Sequence, residues 1–289
     1  GWISTENIPT GTTTTKTYQT VVEEKTGLFN VCIPLKILMG FFEDYKKIIL
    51  NARQELILVR DNSDNNAVTT TDATEIPKIE LTKLTWNIPH ISVTIPQELS
   101  LTKIIDKNND ILIAFRNWKL IEYPELLKTN RHNRPVKTLT RVETPRHVII
   151  AFQTEKRDSV ISNISKFDNI NLRNIKVFLN SERYPYNDLN IDISMNIFAA
   201  LYEMYSQFRS NYYGKTEEPL FAPTQFKEYA PITYINCSHQ KDTLQDGPVV
   251  MRVEFDLHKD IDKETAAYCL ILHDKVFSYN PLTKLVKQL

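Results

Sequence analysis

Glycine and cysteine are the scarce residues of this 289-residue chain, with six of the first and three of the second. The six glycines (Gly1, Gly11, Gly27, Gly40, Gly214 and Gly247) stand far apart, which excludes a Gly-rich loop cradling a phosphate. Cys32, Cys237 and Cys269 are too dispersed, and odd in number, for a disulfide framework or a Cys-rich zinc site, and they point to a reducing compartment. Net charge is also missing: 35 Lys and Arg balance 35 Asp and Glu. No long-range field therefore draws the chain to nucleic acid or an anionic membrane, and any such contact has to be local. The longest apolar stretch, around Ile37 to Phe42, falls far short of the 18 or so residues a spanning helix needs. The polar, Thr-rich start lacks the charged and apolar regions of a signal peptide, and Gly1-Trp2-Ile3 without a Met reads as a fragment or an internal start.

What is present, 42% hydrophobic and 24% charged residues, suits a globular protein with chain enough for about two domains. Gly1 to Lys25 is polar without an apolar period and is expected as an extended arm. Leu35, Leu38, Met39 and Phe42 recur at helix spacing. Asn51 to Arg60 then carries the β-rich run Leu56-Ile57-Leu58-Val59, closed by the turn-forming Asp61-Asn62-Ser63-Asp64-Asn65-Asn66. From Ile79 to Ile95 the apolar residues alternate with two changes of parity, which predicts a strand bulged near Thr82-Lys83 and broken at Pro89.

Further strands are expected at Leu112 to Tyr123, Val148 to Gln153 and Asn174 to Leu179. Val249, Met251, Val253, Phe255 and Leu257 give the cleanest period-2 signal, launched by the turn Asp246-Gly247-Pro248. Ala266 to Leu272 and Lys275 to Tyr279 flank His273-Asp274 as a predicted hairpin. One long helix is expected over Ser194 to Asn211, where Phe198, Leu201, Tyr205 and Phe208 share a face. Many short strands and few helices make an all-β protein of sandwiches or barrels. Lys128 to Arg146, basic and interrupted by Pro135 and Pro145, reads as a linker between two β domains, 1–134 and 135–289.

The residue patterns of catalysis are absent. Gly214-Lys215-Thr216 looks like the end of a phosphate loop, but Arg209 stands where that motif needs glycine and a helix rather than a strand precedes it. There is no Gly-x-Ser-x-Gly to present a nucleophilic serine, and the six histidines never take the spacing of a zinc protease helix. No His-x-His pair occurs, as metal sites in β-barrels use; Cys237 and His239 could share a strand face, but no second pair joins them. Asn163-Ile-Ser165 and Asn236-Cys-Ser238 resemble glycosylation acceptors in a chain without a secretory signal. The 13 Tyr and 13 Phe are scattered among aliphatic positions, a packing pattern rather than a base-stacking one. No catalytic residue, cofactor or metal is expected. The one electrostatic feature is the basic segment Lys128, Arg131, Arg134, Lys137 and Arg141, which as a solvated linker needs no function.

The order of landmarks resembles a known family. They are Ile33-Pro34-Leu35 with Phe41-Phe42-Glu43-Asp44 and Gln54-Glu55-Leu56-Ile57-Leu58, Thr85-Trp86-Asn87-Ile88-Pro89-His90, and Pro145-Arg146-His147-Val148-Ile149-Ile150-Ala151-Phe152-Gln153. They continue with Leu179-Asn180-Ser181-Glu182-Arg183-Tyr184-Pro185, Tyr229-Ala230-Pro231-Ile232 and the closing Ala267-Tyr268-Cys269-Leu270-Ile271-Leu272. Over most of its length the chain is similar to the double jelly-roll major capsid proteins of large DNA viruses and of Polinton or adintovirus-type elements in arthropod genomes. The resemblance implies two eight-stranded jelly rolls side by side and a homotrimer forming a pseudo-hexagonal capsomer.

It also implies that the first roll is incomplete here, with the Leu56 and Trp86 strands as its late members. The second roll then runs from about Pro145 to Leu289, with the Phe198 helix inserted in a loop. By the same resemblance the partners are further copies of the chain and penton or minor capsid proteins, with nucleic acid touched only weakly and non-specifically. The location is the virion, after an intracellular stage. Lys128, Arg131, Arg134, Lys137 and Arg141 would face DNA or a neighbouring subunit. A second expectation, of a different class, is a host-domesticated jelly roll, an endogenous viral element that recognises a glycan or protein through its loops.

Overall fold

A computed structural model of the chain describes residues 27–70, 72–74, 76–139, 145–239 and 249–289. The expected arm Gly1 to Lys25, Arg141 and the turn Asp246-Gly247-Pro248 lie outside them. A 3-10 turn at Leu35–Ile37 and helix α1 (Gly40–Asp44) occupy the segment with helix spacing, and α2 (Ile95–Asp106) follows. The strands are β1 (Ile111–Tyr123), β2 (Arg131–Leu139), β3 (Pro145–Thr154), β4 (Leu172–Leu179), β5 (Glu182–Tyr184), β6 (Thr233–Asn236), β7 (Val249–Leu257), β8 (Thr265–Tyr279) and β9 (Val286–Gln288). Helices α3 (Ala199–Tyr213) and α4 (Pro223–Tyr229) lie in the long connection from β5 to β6.

Two antiparallel sheets result. One has the order β1-β8-β3-β6, with β9 beside the end of β8; the other is β2-β7-β4-β5. The pairs β1·β8, β2·β7, β3·β6 and β4·β5 are the rungs of one long antiparallel hairpin whose arms are β1 to β4 and β5 to β8. Rolling that hairpin up adds the contacts β3·β8 and β4·β7. This is an eight-stranded jelly roll, complete between Ile111 and Tyr279.

The core lies between the sheets. Val148, Ile150 and Phe152 of β3 and Cys269 and Ile271 of β8 meet Ile175 and Val177 of β4 and Met251, Val253 and Phe255 of β7. The alternation of β7 is realised as expected, with its odd residues buried and Arg252, Glu254 and Asp256 half-buried on the other face. The helix expected at Ser194 to Asn211 is α3. It ends at Gly214, whose φ of 62° lets its N–H return to Ser210 O while the N–H of Lys215 reaches Arg209 O. Gly214-Lys215-Thr216 is thus a helix cap.

Four expectations need correction. Lys128 to Arg146 is not a linker, because Arg131 to Leu139 is a strand in register with β7 from Arg131↔Asp256 to Leu139↔Val249, and the boundary at 134/135 falls inside it. Pro135 misled because a proline fits an edge strand, where its missing N–H faces away from the ladder. The His273-Asp274 hairpin does not exist: β8 runs through both residues, pairing them with Asn117 and Arg116 of β1. His273 tolerates a buried place in mid-strand because Asn117 Nδ2 stands 3.2 Å from its Nε2 and Asp274 O 3.0 Å from its Nδ1. No strand forms over Asn51 to Arg60, nor over Ile79 to Thr94, and among the described residues no strand pairs with either stretch. Finally, Ile95 opens a helix rather than ending a strand: the Gln97 side-chain oxygen accepts from the N–H and hydroxyl of Thr94, and Pro96 sits in the first turn.

Candidate interaction surface

The basic segment is divided by the strand it forms. Residues three apart would line up on a helix, but in a strand they point to opposite faces. Arg131 lies on the solvent face, 85% exposed at its side chain and 3.9 Å from Asp256. Arg134 has the parity of buried His132 and Val136, and its guanidinium stands over the Tyr123 ring at 5.9 Å. Lys128 is exposed in the β1–β2 loop, Lys137 belongs to β2, and Arg141 lies outside the described residues. Arg131 and Arg134 thus stand on opposite faces of the strand.

The strongest polar cluster lies where α1 meets the outer face of the β1-β8-β3-β6 sheet. Arg116 of β1 donates from Nε and Nη2 to the Asp44 carboxylate at 2.9 and 2.5 Å, and from Nη1 to Tyr212 O at 2.6 Å. Its backbone N–H also goes to Asp44, at 2.8 Å, so the helix caps the free edge of β1 at this point. The guanidinium sits 4.0 Å from the centre of the Tyr212 ring, and the Tyr212 hydroxyl donates to Glu43 at 3.0 Å while accepting from Trp118 Nε1 at 2.9 Å. Hydrogen bonding from Arg116 holds the Asp44 carboxyl below the usual carboxylate range, whereas burial pushes the Tyr212 phenol up. Gly40 makes the approach possible: a Cβ there would stand 1.7 Å from Arg116 O.

Beneath this clasp the Tyr234 hydroxyl lies 2.9 Å from His147 Nδ1. Burial, with Arg146 and Arg116 nearby, lowers the His147 pKa to about 4, so the ring is neutral and shares a hydrogen bond with the Tyr234 hydroxyl. All these groups bind one another, which makes the cluster a fastening.

The unsatisfied surface lies elsewhere. Among the described residues, eighteen of the thirty-two large hydrophobic side chains that are exposed fall between Leu28 and Ile104, outside the roll. Val59 is 92% and Ile76 90% exposed, and α2 buries none of its residues. An apolar surface of this extent marks a place of contact.

With two sheets wound into a jelly roll, the sequence comparison is decisive for kinship: the double jelly roll-like domain family matches residues 5–277. The chain belongs to that family. No curated protein matches it. Among solved structures it is similar to a chain of the Sputnik virophage, determined by cryo-EM, at 11% identity and a TM-score of 0.34 over 62% of this chain and 39% of that one. It is also similar to the mavirus major capsid protein, at 12% identity and a TM-score of 0.33, over 62% of this chain and 41% of that one. The chain therefore spans about two fifths of the length of these neighbours.

In this member of the family Cys237 and Cys269 are buried, and burial pushes both thiols up to about 12, which makes them core packing. Among the described residues no three His, Cys, Asp or Glu side chains converge on a metal-sized site, and no helix is long and apolar enough to cross a membrane. Sequence reasoning missed the fastening residues Asp44, Arg116, Trp118 and Tyr212. Their separation in sequence hides them, and Arg116 does not stand out locally in a strand that also carries Asn117, Lys119 and Glu122.

Proposed function

We propose that this double jelly roll-like chain is a structural, capsid-like subunit without enzymatic activity, built to self-assemble. The observation that carries the proposal is the apolar surface that the described residues leave uncovered between Leu28 and Ile104, a surface suited to contact. Three copies form a pseudo-hexagonal capsomer; residues before Ile111 contribute to a first roll, and Ile111 onward form the second. Further partners are penton or minor capsid proteins, and the assembled location is the virion of a DNA virus or of a Polinton-like or endogenous element. Arg131, exposed and loosely paired, is the residue of the basic segment read as meeting a neighbouring subunit.

Light scattering and electron microscopy on the 289-residue chain test the proposal. The expected mass is three times that of one chain, with larger particles as salt and concentration rise. A monomeric mass at every concentration and salt tried refutes it.

A further inference from the structure

His147 lies under the seam where α1 and the end of α3 meet the outer face of the β1-β8-β3-β6 sheet, and it is only 6% exposed. Its ring has Tyr234 of β6 beside it, 5.8 Å between centres, and Tyr212 of α3 edge-on at 6.0 Å, while Phe208 of α3 closes on Tyr234 at 5.1 Å. Tyr212 also carries α1. Its hydroxyl donates to Glu43, and its carbonyl and ring hold Arg116, which grips Asp44. Whatever moves Tyr212 therefore moves α1.

The charges facing His147 are set against a further cation. Its own strand places Arg146 beside it and β1 places Arg116. From β8 comes the opposing charge of Asp274, and that carboxylate is already paired with Arg146. β6 and α3 offer the phenols of Tyr234 and Tyr212, and α1 offers Glu43 and Asp44, which face Arg116 at 3.7 and 2.5 Å. The Tyr212 ring already serves the Arg116 guanidinium at 4.0 Å, which leaves little of its attraction for a second cation.

We propose that His147 is a proton-operated latch: an imidazolium formed at this position drives the end of α3 off the sheet, and α1 leaves with it. The latch is a property of one chain by itself and goes beyond the capsid-like reading, so it stands or falls apart from assembly. Burial and the two arginines hold the docked ring at about 4, against the ordinary 6.5 of a ring freed when the seam opens. The seam is therefore closed above pH 6.5 and loosens as pH falls towards 4. At pH 5 the ratio of open to docked chains rises at least about tenfold over pH 7.5. Asp44 does not act in that window, since hydrogen bonding from Arg116 keeps its carboxyl below 3.8, and burial keeps the Tyr212 and Tyr234 phenols protonated.

Amide hydrogen exchange of the full chain reads the seam, because the Arg116 N–H donates to Asp44 at 2.8 Å and loses that partner when α1 leaves. Corrected for the intrinsic pH dependence of exchange, its protection falls at least about tenfold between pH 7.5 and pH 5, while the amides of β4 and β7 keep theirs. His147→Gln keeps a polar group for Tyr234 but takes up no proton, and holds the fall within about twofold. Arg146→Gln, at a side chain 58% exposed, removes a repelling charge and frees Asp274 for the imidazolium, so the fall shrinks. Wild-type protection that is unchanged at pH 5, or that is lost equally in His147→Gln, overturns the latch. Simultaneous loss across β4 and β7 overturns it too, because the whole roll is then unfolding. Where His147→Gln is already unprotected at pH 7.5, Arg146→Gln decides: a fall as large as in the wild type overturns the proposal and a smaller one supports it.

Discussion

Arg116→Gln should release the N-terminal region from the roll without unfolding the roll itself. In the native structure the Arg116 side chain gives three hydrogen bonds, two to the Asp44 carboxylate and one to Tyr212 O, and its guanidinium lies against the Tyr212 ring. The pair is neither fully buried nor on the surface, with side-chain exposures of 29% for Arg116 and 20% for Asp44. Breaking a buried pair costs about 3–5 kcal/mol and a surface pair about 0–1. An intermediate position argues for about 2–3 kcal/mol, because glutamine leaves the carboxylates of Asp44 and Glu43 partly desolvated with no cation. At about 1.4 kcal/mol per tenfold, the population with α1 undocked rises about 50-fold.

Limited proteolysis between Tyr45 and Asp110, under conditions where opening is fast relative to cleavage, reads that population directly. Asp44→Asn and the double variant complete a cycle, and a coupling of about 1.5 kcal/mol or more is expected. The pH dependence carries the sign. Asp44 has its carboxyl held below the ordinary value of 3.8, so the fastening is present above pH 3.8 and is lost as pH falls through the lowered value. Wild-type cleavage rates in Arg116→Gln, or additive effects in the cycle, would refute the assignment of Arg116 as the fastening.

Three other outcomes follow from the same geometry. Gly40→Ala cannot keep α1 in place, since its methyl carbon would meet Arg116 O at 1.7 Å; a loss of about 3 kcal/mol in docking, seen as proteolysis at the same sites, is expected. Val136→Ala should lower stability by about 2 kcal/mol in urea unfolding while Arg131→Gln stays within about 0.5, because β2 is a strand with one face in the core; equal, small effects would return the segment to a linker. His147, with its pKa lowered to about 4, binds its proton more weakly when folded than the ordinary value of 6.5 allows, so stability present above pH 6.5 is lost as pH falls towards 4. Urea midpoints at pH 7 and pH 4.5 should show a contribution of about 2 kcal/mol after solvent screening, and His147→Asn should remove it.

The roll was largely legible. Period-2 alternation marks β7 to the residue, since one of its faces is core and the other half-exposed. Strands β1, β3 and β4 were found from apolar runs of strand length. β2 was hidden by charge, because an edge strand needs only one buried residue in two, and His132 with Val136 supplies that quietly between arginines. The split of β8 into a hairpin came from reading His273-Asp274 as turn chemistry, whereas its cross-strand neighbours Asn117 and Arg116 are polar in register. The capping residues of α2 were visible as Thr94-Ile95-Pro96-Gln97 but were outweighed by the alternation leading into them.

The expectations at Leu56-Ile57-Leu58-Val59 and around Trp86 differ in kind from these errors. Alternation and β-branched residues state that a segment suits a pleated surface; they say nothing of where the second half of the ladder comes from. In β7 the second half is β2 and β4, within the chain. Along Ala52 to Val59 and around Trp86 the pattern is there, yet no described strand lies alongside. Local preference and described structure conflict at both places, and a folded protein carries such a conflict where something beyond those residues resolves the matter. The exposed edge is an aggregation hazard for an isolated chain and a ready contact for an assembling one.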